Sequence, residues 1–116
     1  PEKIIQEATR VLKGNGVLVF HTFNRNWLSG LLVIKGMEWV VRNTPKNLHV
    51  LRLFIKPKEL IQYCANSGLT PKEIVGITPV LNSAFLKLLA FGVVPDDFTF
   101  KIKGSPLLGY LGYARK

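Results

Sequence analysis

Apolar positions along the first part of the chain switch from helical to strand-like spacing. Ile4, Ile5, Ala8, Val11 and Leu12 recur at three- and four-residue intervals, which predicts one apolar face on a helix over residues 1–13. Pro1 suits the first helical position and Glu2 suits the positive end of the helix dipole. Gly14 can cap the helix, and Gly14-Asn15-Gly16 makes a tight turn. Val17-Leu18-Val19-Phe20 then runs apolar without a break, the pattern of an interior strand of a parallel sheet, buried on both faces. Helix, glycine turn and doubly buried strand form the second half of an αβ repeat, so the expected class is α/β.

The strand delivers a polar tip: His21, Thr22, Asn24, Arg25 and Asn26. Ligands of open α/β sheets bind beyond the carboxyl ends of the strands, so this tip is the first candidate for a functional rim. Residues 27–43 are expected to be helical, with Asn26 as N-cap and Asn43 ending the helix before Thr44-Pro45. Lys35, Glu38 and Arg42 share a polar stripe, and Trp27, Leu28, Leu31, Leu32, Ile34, Trp39 and Val41 fill most of the remaining circumference. Gly30 and Gly36 each weaken such a helix by roughly 1 kcal/mol relative to alanine.

A basic connection with Lys46, His49, Arg52, Lys56 and Lys58 follows. Within it a helix starts around Phe54–Leu60 with an early proline, buries Leu60, Ile61, Cys64 and Ala65, and stops at Gly68. Glu73–Thr78 reads as a short strand and Ala84–Phe91 as a short apolar helix or loop. Phe98, Phe100 and Ile102 alternate with Thr99, Lys101 and Lys103, which predicts a half-exposed strand. Gly104-Ser105-Pro106 turns the chain into a last strand, Leu107–Arg115, so the tail reads as a hairpin whose Tyr110 and Tyr113 pack on the sheet. Cys64 reads as a buried helix residue.

Composition narrows the partners. The chain has 116 residues, enough for one domain or part of one, and a net charge of +9. That balance suits nucleic acid, an acidic lipid surface, or a solvated basic face with no partner. One cysteine forms neither an internal disulfide nor a Cys-built metal site, which points to a reducing, cytoplasmic setting. Pro1-Glu2-Lys3 opens no signal-peptide pattern, and no run reaches the roughly 20 apolar residues of a membrane span. Gly14-Asn15-Gly16 precedes a strand and so is no phosphate loop, and His21 and His49 lack the company of a metal site. By itself the chain shows no complete active site.

The order "PEKIIQEATRVLKGNGVLVFHTFNRN" resembles the second half of a class I S-adenosylmethionine-dependent methyltransferase, in which a Leu-Lys-x-Gly-Gly-like turn leads into the fifth strand. Asn24-Arg25-Asn26, the apolar helix, Pro45-Lys46, His49 and Phe54-Ile55-Lys56-Pro57-x-Glu59-Leu60 resemble more specifically the ubiquinone-biosynthesis O-methyltransferases. Similarity is best over residues 1–77, loosens over 78–106 and returns in the final strand. The resemblance implies a Rossmann-like seven-stranded sheet, of which this piece supplies the last three strands, the last one antiparallel, with flanking helices. It implies that residues 1–116 are the C-terminal part of a single methyltransferase domain whose cofactor-binding N-terminal half is absent. S-adenosylmethionine is then expected in the complete protein and not on this piece. The implied methyl acceptor is a catechol or phenol, a lipid-soluble polyprenylated quinone precursor.

Two readings stand for each candidate. Asn24, Arg25 and Asn26 form either a substrate-binding rim, with Arg25 meeting anionic oxygen, or a helix cap and a surface charge. Residues 27–43 form either a core helix or an amphipathic substrate- and membrane-facing one, with Trp27, Leu28, Leu31, Lys35, Trp39 and Arg42 as lipid contacts. The near all-round apolarity of that helix exceeds what one sheet face buries, which favours the membrane. His49 is a candidate general base or a structural histidine, and His21 receives no role.

The leading expectation is a methyltransferase piece, inactive alone, whose parent is peripheral on the inner face of a membrane. The alternative is a membrane-surface binding module without catalysis. Nucleic-acid binding through residues 42–58 ranks last, for want of interleaved exposed aromatics or a docking motif. Cutting a parallel sheet also exposes an edge beside Val17–Phe20, so the piece is expected to dimerise or exchange strands.

Overall fold

A computed structural model of the chain describes residues 1–35 and 51–116. Helix α1 spans Glu2–Val11, and strand β1 spans Val17–Phe23. Trp27–Ser29 forms one helical turn, α2, which widens into a π-helix over Gly30–Lys35. A 3-10 turn at Leu51–Leu53 leads to α3, Pro57–Asn66, with Pro57 in its first turn as expected. Strand β2 (Thr70–Pro79), helix α4 (Ser83–Phe91), strand β3 (Phe100–Ile102) and strand β4 (Gly109–Arg115) complete the order.

The class is α/β, but among the described residues the sheet has four strands in the order β1-β4-β2-β3, and every neighbouring pair is antiparallel. The last strand enters between β1 and β2. These two run in the same direction and the last strand is antiparallel to both, as expected, but a further short strand, β3, joins the three that were expected. β4 takes Val17 opposite Arg115 on one side and Ile77 opposite Gly109 on the other. The expected tail hairpin does not form. β3 pairs instead with the end of β2, Ile77 with Ile102 and Pro79 with Phe100, because the central slot already occupies both edges of β4.

Burial corrects a second expectation. β1 is not covered on both faces: its exposure alternates, and Val19 is 72% exposed. No described element covers that side of the strand, whereas Leu18 and Phe20 pack against the core. The core itself joins Ile5, Leu60, Cys64, Leu69, Tyr110 and Ala114. Cys64 is fully buried, as predicted, but Ile61 and Ala65 of the same helix face outward, as do Ile4 and Val11 of α1. The buried stripe of each helix is narrower than its apolar pattern: Ile5 of α1 and Leu60 and Cys64 of α3 are what these helices give to the shared core.

Close approach sets the middle of the sheet. Gly112 lies opposite Phe20 on β1 and Ile74 on β2. A Cβ there would come within 2.1 Å of the Glu73 carbonyl oxygen and 2.9 Å of the Phe20 ring. The absent side chain lets that ring lie across the central strand. At the far end, Lys116 Nζ donates to the carbonyls of Thr9 (2.6 Å) and Leu12 (2.8 Å), placing a cation at the negative end of α1.

Candidate functional site

The polar tip of β1 is built by a cap and a turn. Asn26 has extended backbone, and its Oδ1 accepts from the Ser29 backbone N–H at 2.8 Å, the predicted N-cap. Its Nδ2 donates to the Leu107 carbonyl at 2.7 Å. Asn24 donates through its backbone to Leu108 O at 2.9 Å and through Nδ2 to Pro106 O at 2.8 Å. The Ser29 hydroxyl, fully buried, lies within 3.3 Å of the Leu107 carbonyl, the Leu108 carbonyl and Asn26 Oδ1. Two asparagines and a serine thus tie the end of β1 to the turn that enters β4.

Arg25 points the other way and forms an ion pair with Glu59 of α3. Glu59 also accepts from the Lys56 backbone N–H at 3.1 Å, closing the first turn of that helix. A further tether runs beneath: the Tyr110 hydroxyl donates to Ile55 O at 2.8 Å, and Ile55 N–H donates to Phe23 O at 3.1 Å. Burial, with smaller contributions from Glu59 and Cys64, pushes the Tyr110 phenol well above its ordinary range, and burial pushes the Cys64 thiol up. Both groups stay neutral at physiological pH.

Asn24, Arg25 and Asn26 therefore sit side by side at the sheet's end, as expected, each with a side-chain nitrogen engaged inside the chain. Trp27 projects next to them and is 77% exposed, and Leu31 and Leu32 are exposed too, while Leu28 is half-buried. Leu51 packs within 3.4 Å of where a Cβ on Gly30 would stand, at the point where the α-turn becomes a π-helix. The Lys35 backbone ends that π-helix. Trp39, Arg42, Lys46 and His49 lie outside the described residues. Sequence reasoning missed Glu59, Ser29 and the carbonyls of residues 106–108. The early proline with an acid two residues on was the local signal for Glu59, but nothing local named Arg25 as its partner.

A cleft of about 450 Å³ opens between α1 and β1, walled by Ile4, Ile5, Leu18 and Leu60 with His21 and Thr22 at its lip. None of Asn24, Arg25 and Asn26 lines it. Its aliphatic wall does not fit a charged nucleotide-like cofactor. Gly14-Asn15-Gly16, which precedes β1, supplies no helix N-terminus for one either. Among the described residues no group of three His, Cys, Asp or Glu could hold a metal ion. No helix among them is long and apolar enough to cross a membrane.

No protein-family model matches the chain. Curated relatives do. The chain is 41% identical over 76 residues to the "Ubiquinone biosynthesis O-methyltransferase" of Glaesserella parasuis serovar 5 (strain SH0165), covering 66% of this chain and 32% of that protein. The protein of the same name from Pseudomonas putida (strain F1) is 36% identical over 78 residues, 67% of this chain and 34% of that one. The one from Shigella flexneri is 33% identical over 85 residues, 72% and 35% respectively. The matched stretch spans about a third of the length of each relative.

Proposed function

From that similarity we propose that the chain is the substrate-side part of an S-adenosylmethionine-dependent O-methyltransferase acting on a catechol- or phenol-type, polyprenylated quinone precursor. The observation that carries the reading is the identity of 33–42% to proteins named ubiquinone biosynthesis O-methyltransferase. The fold supports it. An α/β unit whose last strand is antiparallel to its neighbours agrees with the end of a Rossmann-like methyltransferase sheet.

S-adenosylmethionine belongs in this reading to the remainder of the complete protein. This chain supplies a wall: Asn24, Arg25 and Asn26 face the acceptor's head group at the end of β1, and the segment beginning at Trp27 meets its tail and the anionic bilayer that holds it. Internal bonds to Leu107 and Glu59 do not oppose that role, since they hold the rim in one geometry before substrate arrives. The complete enzyme is then peripheral on the inner face of the membrane.

The test reads the coding sequence upstream of Pro1 and assays the encoded longer protein. Transfer of labelled methyl from S-adenosylmethionine to a prenyl-tailed catechol, in preference to an untailed one, supports the proposal. A stop codon directly upstream of Pro1, or no methyl transfer, removes it. The 116-residue chain is expected to take up no S-adenosylmethionine by calorimetry.

A further inference from the structure

The turn between α1 and β1 is tightly made. The Gly16 N–H donates to the Lys13 carbonyl at 2.9 Å and closes a four-residue turn. Asn15 holds the third place with φ +62°, the left-handed region that glycine and asparagine enter at least cost. A Cβ on Gly16 would lie 2.8 Å from the Lys13 carbonyl oxygen and 2.9 Å from the Leu12 side chain. The turn therefore takes Asn or Gly followed by Gly, and the chain supplies Asn-Gly.

That pair carries chemistry of its own. Asparagine is a thermolabile residue, and a following glycine, without a Cβ, leaves its side-chain carbonyl open to the next backbone nitrogen. Asn15 is the only asparagine of the chain that precedes a glycine. The other described asparagines, Asn24, Asn26, Asn66 and Asn82, each hold their side chain in a hydrogen bond. Asn15 is exposed, and among the described residues its side-chain amide has no such partner.

We infer that Asn15-Gly16 is a self-modification site gated by the hydrogen bond from Gly16 to Lys13. The Gly16 nitrogen loses its proton to hydroxide and bonds to Asn15 Cγ. The bond from Cγ to Nδ2 breaks, and that nitrogen leaves as ammonia, so a cyclic imide remains. One water then opens the ring at either carbonyl, giving an aspartyl or an isoaspartyl residue. Water and hydroxide are the only other reactants, so no docked partner is needed. A bonded N–H gives up its proton slowly, and the reaction proceeds from the fraction of chains whose turn is open.

Position gives the reaction a consequence. The Gly16 carbonyl accepts from the Lys116 N–H at 3.0 Å, and Val17 stands opposite Arg115. One turn thus fixes the end of α1, the start of β1 and the end of β4. An isoaspartyl link inserts a backbone carbon just before Gly16, where Lys13 and Leu12 already crowd the chain. The closing bond is lost, and with it the alignment of β1 on β4.

The experiment incubates the 116-residue chain at mildly alkaline pH, native and in urea, and maps its peptides by mass spectrometry. Trypsin releases residues 14–25 with both Asn15 and Asn24, and fragmentation separates the two. In the native chain, position 15 is expected to exchange ammonia for water ahead of Asn24, Asn66 and Asn82. The native rate should be about tenfold below the rate in urea. The isoaspartyl form should unfold at a lower urea midpoint than the unmodified chain. A native chain still intact long after the urea sample has converted overturns the site, and equal rates in the two states overturn the gate. Asn15→Gly suits the same φ and should abolish the isoaspartyl signal. A signal that persists in that variant places the chemistry elsewhere and overturns the assignment.

Discussion

Asn26 Nδ2 donates to the Leu107 carbonyl at 2.7 Å, joining the cap of the first helix beyond β1 to the turn that precedes β4. One side chain serves two ends of the chain, because its Oδ1 is meanwhile held by the Ser29 N–H. The last strand is thereby anchored where the candidate rim begins.

Replacing that side chain should separate its two roles. Asn26→Ala is expected to lower stability by about 1–2 kcal/mol, through loss of the cap and of the Leu107 bond. Asn26→Ser keeps a capping acceptor for Ser29 and loses the donor to Leu107, so its midpoint in urea should fall between alanine and wild type. Equal midpoints for the two variants would reject the division.

The Arg25–Glu59 pair should be energetically modest in spite of its close contact. Its side chains retain 37% and 30% exposure, so solvent screens the attraction. A double-mutant cycle with Arg25→Ala and Glu59→Ala should give a coupling of about 1 kcal/mol or less. Glu59→Ala alone should cost more than Arg25→Ala, because it also frees the Lys56 N–H. Denaturant unfolding of the four species measures both.

Alkaline pH should weaken the fold. Tyr110 and Cys64 both bind their protons more tightly folded than unfolded. Where unfolded chains would release those protons and the native state keeps them, stability falls as pH rises. The ordinary values are 9.0 for the thiol and 10.0 for the phenol, so the contribution is whole below about pH 9 and declines above it. Tyr110→Phe should flatten the upper part of that decline, at the cost of about 1 kcal/mol from the bond to Ile55 O. Unfolding curves between neutral and strongly alkaline pH test this.

Gly112→Ala should cost about 2–3 kcal/mol or prevent folding, since the added Cβ meets a backbone oxygen that has no room to move. Gly14→Ala is the control. Nothing lies within 4 Å of its Cβ position, and thermal unfolding should show a change within about 0.5 kcal/mol.

The outer edge of β1 from Val17 to Phe20 has no strand partner among the described residues, and Val19 stands exposed on it. The chain is expected to pair there with a second copy at high concentration. Light scattering should show the dimer and Val19→Lys should reduce it. A monomer throughout would remove the claim.

Local chemistry alone determined α1, the glycine turn, the start of β1, the Asn26 cap, the Pro57 start of α3 and its stop near Gly68, where φ is +79°. Each depends on residues within about one helical turn of one another, and that range is written in the sequence. Of the candidate site, Asn26 was legible as a cap, whereas the partners of Arg25 and Asn24 were not. Only the tertiary structure decided those, and with them the strand order. The ladder that sets Val17 opposite Arg115 is closed by hydrogen bonds between backbone groups, which every residue but proline supplies. The same limit explains α4 and β3. Their apolar pattern reads alike whether a layer covers it or not, and only the packed chain leaves Leu86, Phe91 and Phe100 facing outward.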